Sequence, residues 1–167
     1  MSNVIRTDGT VSWVNFAKGK GNSTLCALIV SPEREMRTQL SDILRANGWD
    51  AHVFTDYNAA QGAMRKSCNP DLVIGSYEGT GAMNASGFLA LTPAPANRDV
   101  RAKIAATPFI GIVNNDEHAN RLSADGAWMT FKRDNLRTLC SQTPKDLADF
   151  LRGVALEGRN SSPSPAR

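Results

Sequence analysis

Short apolar runs alternate with amphipathic stretches along most of this chain. The run LCALIV at positions 25–30 is continuously apolar, as a strand covered on both faces reads. It stops at Ser31-Pro32, where Ser31 is suited to cap a helix and Pro32 to open it. Met36, Leu40, Ile43 and Leu44 then recur at helical spacing as far as Asn47, and Gly48 supplies the stop. A strand is predicted over 51–55, then a helix over 58–67 with Ala60, Ala63 and Met64 inward, then a strand over 71–75 after the Asn69-Pro70 break. Thr107-Pro108 announces a strand at 109–113, followed by a short helix over 116–124 closed by Asp125-Gly126 and a short strand over 128–131. The last helix starts at Thr143-Pro144, with Asp146 completing a variant of the capping box. It carries Leu147, Phe150, Leu151 and Val154 on one face and is expected to end at Gly158.

Strands alternating with helices at this spacing predict an α/β fold: a flavodoxin-like, doubly wound, five-stranded parallel sheet in the order 2-1-3-4-5. The domain is expected to span residues 25–158. Residues 1–24 read as an N-terminal arm, either flexible or an added edge strand. Within it, VSWVNF at 11–16 alternates and carries Trp13, which suits an edge strand or a peptide that docks on something. The Ser- and Pro-rich stretch 159–167 is expected to be a disordered tail.

Composition narrows the function classes. The 167 residues suit one domain, and 41% hydrophobic with 21% charged residues is ordinary for a folded chain. A formal charge of +3 is too weak to argue for nucleic acid. Three widely spaced cysteines, with no C-x-x-C pair, argue against a disulfide framework or a zinc site. Cys26 reads as a small core hydrophobe, and His52 and His118 read as surface residues of a strand and a helix. The opening residues contain no apolar secretory segment, and no apolar run is long enough to span a membrane. These readings predict a cytoplasmic protein without cofactor or metal.

In a parallel sheet of this order, function collects at the carboxyl ends of the strands. The segments ALIVSPE (27–33), NPDLVIGS (69–76), TPFIGIV (107–113), ADGA (124–127) and Lys132 resemble, in order and spacing, the landmarks of response-regulator receiver domains. The resemblance covers roughly residues 25–156. In that family two acidic residues after strand one hold a magnesium ion, and an aspartate after strand three accepts phosphate. A Ser or Thr after strand four reads the phosphate, and a Lys after strand five pairs with it. An aspartyl phosphate needs this set, because a divalent cation held by carboxylates must neutralise charge on the transferring group.

This chain departs from that pattern. The acidic pair falls on Ser31 and Pro32, the acceptor on Ser76 and the reader on Val113; only Lys132 is kept, after a stretch one residue short of the family spacing. Among nearby acids, Glu33 falls in the first helical turn, Asp71 at the far end of a strand, and Glu78 alone could stand in as a metal ligand. The resemblance therefore implies a degenerate, pseudo-receiver type with no catalytic residue, acting in bacterial two-component signalling by binding a protein partner or forming a homodimer. Receivers signal mainly through the face made by the helix after strand four, strand five and the helix after it. Here that face would draw on Arg121, Trp128, Thr130, Arg133, Arg137 and Lys145, with Trp128 either a binding anchor or a core residue. Two other classes stay open. One is a small-ligand sensor using the glycine-rich loop after strand three (Gly79, Gly81, Gly87) to cradle an anion or nucleotide, although a mobile loop explains those glycines as well. The other is an atypical phosphorylatable regulator.

Overall fold

Ala27, Leu28, Ile29 and Val30 are fully shielded from solvent, which requires a central strand covered on both faces. The computed structural model, which describes residues 5–6, 11–12, 24–66, 69–78, 83–90 and 98–161, places them in such a strand, β1 (Cys26–Val30). β1 lies between β2 (Asp50–Phe54) and β3 (Leu72–Ser76), and β4 (Phe109–Val113) and β5 (Met129–Lys132) continue the sheet beyond β3. Every pairing is parallel and the order is 2-1-3-4-5, as the alternating pattern predicts. Ile5–Arg6 pairs antiparallel with Val11–Ser12 in a separate two-stranded ladder. Trp13 and Phe16 lie outside the described residues.

Because side chains alternate across a strand, β1 feeds two cores. Ala27 and Ile29 join Met36, Leu40 and Leu44 of α1 (Arg34–Ala46), Leu136 and Cys140 of α6 (Arg133–Gln142), and Leu147, Leu151 and Ala155 of α7 (Pro144–Ser161). Trp49 is buried in the same cluster. Leu28 and Val30 face the opposite layer. There they meet Tyr57, Ala60 and Met64 of α2 (Tyr57–Lys66), Ala85 and Phe88 of α3 (Ala85–Leu89), Val100 and Ile104 of α4 (Arg98–Ala106) and Leu122 of α5 (Asp116–Asp125). Each fully buried aliphatic chain here contributes about 1.5–3 kcal/mol relative to exposure.

Several expected boundaries move. The first helix starts at Arg34, not Pro32, and Ser31 is not its cap. The Ser31 N–H is spent on the Phe54 carbonyl at 3.1 Å, which keeps this residue in the sheet's ladder, while its hydroxyl accepts from Glu33 N at 3.1 Å in a local turn. Glu33 takes the capping position without a side-chain cap bond. Three helices were not predicted: α3 and α4, between β3 and β4, and α6, directly after β5. α4 buries only Val100 and Ile104, too few apolar positions to register as a pattern.

The last helix also runs past Gly158 to Ser161, so residues 159–161 are helical and do not belong to a disordered tail; 162–167 lie outside the described residues. Arg159 is anchored by a forked pair to Asp71, Nε to Oδ1 at 2.6 Å and a terminal nitrogen to Oδ2 at 3.0 Å. Gly158 is used for close approach instead of a stop: a Cβ there would collide with the rigid ring of Pro108. Gly153, on the same helix, has nothing within 4 Å of its missing Cβ. One substitution therefore has opposite signs a turn and a half apart. Gly153→Ala should stabilise by roughly 0.5–1 kcal/mol through helix propensity, whereas Gly158→Ala should destabilise by roughly 1–3 kcal/mol through overpacking. Urea denaturation of both variants checks the pair, and equal signs would refute the Gly158–Pro108 contact.

Candidate functional site

The sheet brings Ser31 and Ser76 together at the carboxyl ends of β1 and β3. The Ser76 hydroxyl donates to the Ser31 hydroxyl at 3.0 Å, and Ser31 is fully buried. The Ser31 carbonyl accepts from an Arg37 guanidinium nitrogen at 2.8 Å. From below, the Tyr57 hydroxyl donates to the Ser76 carbonyl. That contact is possible only because Gly75 has no side chain, since a Cβ there would meet the phenol. Tyr57 packs between Phe88 and Phe109, with ring centroids 5.0 and 6.4 Å away. Burial pushes its phenol well above the ordinary range, so it stays a neutral donor.

Val113 ends β4 fully buried, in register with Lys132 at the end of β5, so the short spacing before Lys132 does not displace it from the site. The Lys132 ammonium lies 2.8 Å from Asp116 Oδ1, at the first position of α5. Asn115 caps that helix by accepting from His118 N at 2.8 Å, and the helix closes on Gly126 in the left-handed conformation. His118 stacks on Tyr77, the residue after Ser76, with centroids 3.9 Å apart and planes 8° from parallel. This stack was not foreseen, because nothing in sequence links positions 41 residues apart on a loop and a helix.

Of the carboxylates near the site, Glu33 and Asp116 are paired with cations and Glu78 is exposed. Glu33 does not simply complement the α1 dipole: its Oε2 lies 2.7 Å from Arg133 and 3.5 Å from Arg137. Pro32 and Glu78 are exposed. Asp71 lies at the opposite end of β3, as expected. What remains at the strand ends is two hydroxyls, a proline and a valine. Hydroxyls without an adjacent carboxylate do not form the hard, charged oxygen set a magnesium ion requires, so this donor set does not fit the family's metal.

Of the three glycines expected to form a ligand loop, one falls within the described residues. Gly79 and Gly81 lie outside the described residues, and Gly87 is helical, its N–H given to the Asn84 cap at 2.9 Å. The expected interaction face is divided. Arg121 on α5 is exposed, Thr130 is half-buried on the α5 side beside Gly111, and Trp128, just before the edge strand β5, is 46% exposed, not a core residue. Arg133 and Arg137 turn to Glu33 at the start of α1, and exposed Lys145 pairs along α7 with Asp149 at 3.3 Å.

This architecture is that of the receiver domains. The chemotaxis response regulator CheY4 of Vibrio cholerae is 18% identical, with a TM-score of 0.59 over 79% of this chain and 99% of that one. A CheY-like response regulator receiver domain protein from Methanospirillum hungatei is 14% identical, with a TM-score of 0.64 over 84% and 100%. The signal receiver domain of an HD domain-containing protein from Pseudomonas fluorescens is 14% identical, with a TM-score of 0.63 over 83% and 100%. No protein-family model and no curated protein matches the sequence. The chain has the CheY-like receiver fold. Among the described residues no helix is long and apolar enough to cross a membrane.

The Lys132 hydrogen bond and charge hold the Asp116 carboxyl below its ordinary value. A depressed folded-state value means a contribution present above the unfolded pKa and lost as pH falls through the folded one. In Lys132→Met, an NMR carboxyl titration of Asp116 should show a midpoint moved up toward the ordinary aspartate range. An unmoved midpoint would show that the pair does not form in solution.

Proposed function

We propose that this chain is a phosphorylation-independent pseudo-receiver: a non-enzymatic regulatory module of cytoplasmic, bacterial two-component signalling that works by binding a protein partner, a second copy of itself included. The observation that carries the reading is the Ser76–Ser31 hydroxyl pair, standing where the family's chemistry needs carboxylates. A serine hydroxyl beside another hydroxyl has neither the negative charge of an aspartate nucleophile nor a cation to neutralise the incoming group. The conserved-type cation, Lys132, is already neutralised by Asp116.

Binding is supported by Trp128. A tryptophan 46% exposed beside an edge strand offers a large rigid anchor of the kind enriched in binding hot spots. Arg121 and Thr130 lie on the α5 side of that edge, while Arg133 and Arg137 support α1 and enter the face only at its margin.

Two measurements test the proposal. Incubation with magnesium and acetyl phosphate should leave the intact mass unchanged, and a stable gain of one phosphoryl group would overturn the reading. Trp128→Ala should change stability by less than about 0.5 kcal/mol, as exposed substitutions do. The same variant should abolish partner capture from the native cell, or self-association in analytical ultracentrifugation. Association at the wild-type level would remove Trp128 and its face from the proposal.

A further inference from the structure

Cys26, Asp50 and His52 come together at the amino end of the sheet, on the opposite rim from the serine pair. Five residues of β1 separate Cys26 from Ser31, about 16 Å at strand rise. Cys26 is in register with Asp50 on the adjacent edge strand β2. Leu28 and Val30 face the α2 layer while Ala27 and Ile29 face the α1 layer, so alternation puts Cys26 on the α2 side. Ala51 faces α1, which puts Asp50 and His52 on that same α2 side. The His52 Nε2 lies 3.0 Å from Asp50 Oδ2, and the three donor atoms all fall within 4.8 Å of one another.

We propose that these three side chains bind a zinc-class divalent cation, with a remaining position left to water. Sulfur, imidazole nitrogen and carboxylate oxygen bond zinc at about 2.3, 2.0–2.1 and 2.0–2.2 Å, so donors on a tetrahedron around it stand roughly 3.3–3.6 Å apart. The donors, at most 4.8 Å apart, stand within roughly 1.5 Å of that spacing, and an ion would replace the 3.0 Å His52–Asp50 contact. A thiolate with an imidazole selects against magnesium and calcium and in favour of zinc, cobalt or nickel. The backbone behind the sulfur is fixed as well: Cys26 N donates to Asp71 Oδ2 at 2.9 Å, and Arg159 holds that carboxylate from the end of α7. His52 and Asp50 are about half exposed, with side-chain accessibilities of 48% and 60%, so an ion can enter without opening the fold. A bound ion would tie edge strand β2 to β1. Spacing along the sequence concealed the cluster, since Cys26 and His52 lie 26 residues apart and meet only through parallel pairing.

The test is a titration of the reduced, metal-stripped full chain with cobalt(II), following the thiolate-to-cobalt charge-transfer absorption, and then displacement of cobalt by zinc. The expected result is one equivalent per chain. Loss of a direct ligand should weaken binding by at least ~100-fold, the upper end of what loss of an outer partner does. Cys26→Ser and His52→Gln should therefore lose the band, while Cys68→Ser and Cys140→Ser keep it. His52 is exposed on an edge strand, so if circular dichroism shows that Cys26→Ser does not fold, His52→Gln decides alone. No charge-transfer band, a band that survives in His52→Gln, or a band lost in Cys68→Ser or Cys140→Ser would overturn the site.

Discussion

The backbone ladder of the parallel sheet sets the register of the strand ends and reaches one residue past two of them, and the placement of the groups at the site depends on it. Ser31 N donates to Phe54 O at 3.1 Å, and Tyr77 N donates to Ile112 O at 2.8 Å. A sheet buried on both faces must satisfy its peptide groups internally, so these bonds are not optional. They tie the residue after β1 to β2 and the residue after β3 to β4, while the Val30–Gly75 register sets the ends of β1 and β3 side by side. The side chains found there decide what the rim can do, because everything nearer the middle of the strands is spent on the two cores. The position is inherited from the fold, and its chemistry depends on which few residues the chain places there.

Electrostatics explains why this rim is settled without a ligand. A cluster of carboxylates held close together repels itself and shifts its own pKa values unless a cation is bound. Here two neutral hydroxyls bond each other, and the charges that remain nearby find partners on neighbouring helices. Lys132 pairs with Asp116, and Glu33 pairs with Arg133 and Arg137. These pairs are partly exposed, and each contributes little to stability. Their larger effect is to engage Lys132 and Glu33 with partners on neighbouring helices. The neutral Tyr57 hydroxyl donates to the Ser76 carbonyl from the core side and holds the serine pair from below.

What the sequence revealed follows from which interactions have a local signature. Strong apolar runs carried the sheet: 109–113 was read to the residue as β4, and the order of strands followed from the alternation. Helices with two or three buried positions, α4 and α6 among them, carried too little periodicity to be seen. Gly158 was read as a stop because glycine usually has that role after a helix, yet here it makes room for Pro108. At the site, the residue types were legible from position and resemblance, whereas the pairings were not. Lys132 with Asp116, Tyr77 with His118 and Asp71 with Arg159 join segments far apart in the chain, and only the folded sheet brings them together.

A receiver-fold module lacking a phosphoryl switch faces a physical constraint on how it can be regulated. A ligand shifts a conformational equilibrium only by the difference between its affinities for the two states. On the function proposed above, the hydroxyl pair at the strand ends takes no phosphate to supply that difference. On that proposal, control comes from the concentration of a partner or from a ligand bound elsewhere. The two rims of this sheet differ in the way that constraint asks for. The carboxyl rim carries a hydroxyl pair flanked by ion pairs, while the amino rim brings the sulfur of Cys26 on β1 against the carboxylate of Asp50 and the imidazole of His52 on the edge strand β2. Edge strands are the least constrained part of a sheet, held by one ladder instead of two. A tie between β2 and β1 would therefore act where the fold has most freedom left to lose, and β5, the other edge, leaves Trp128 exposed for association.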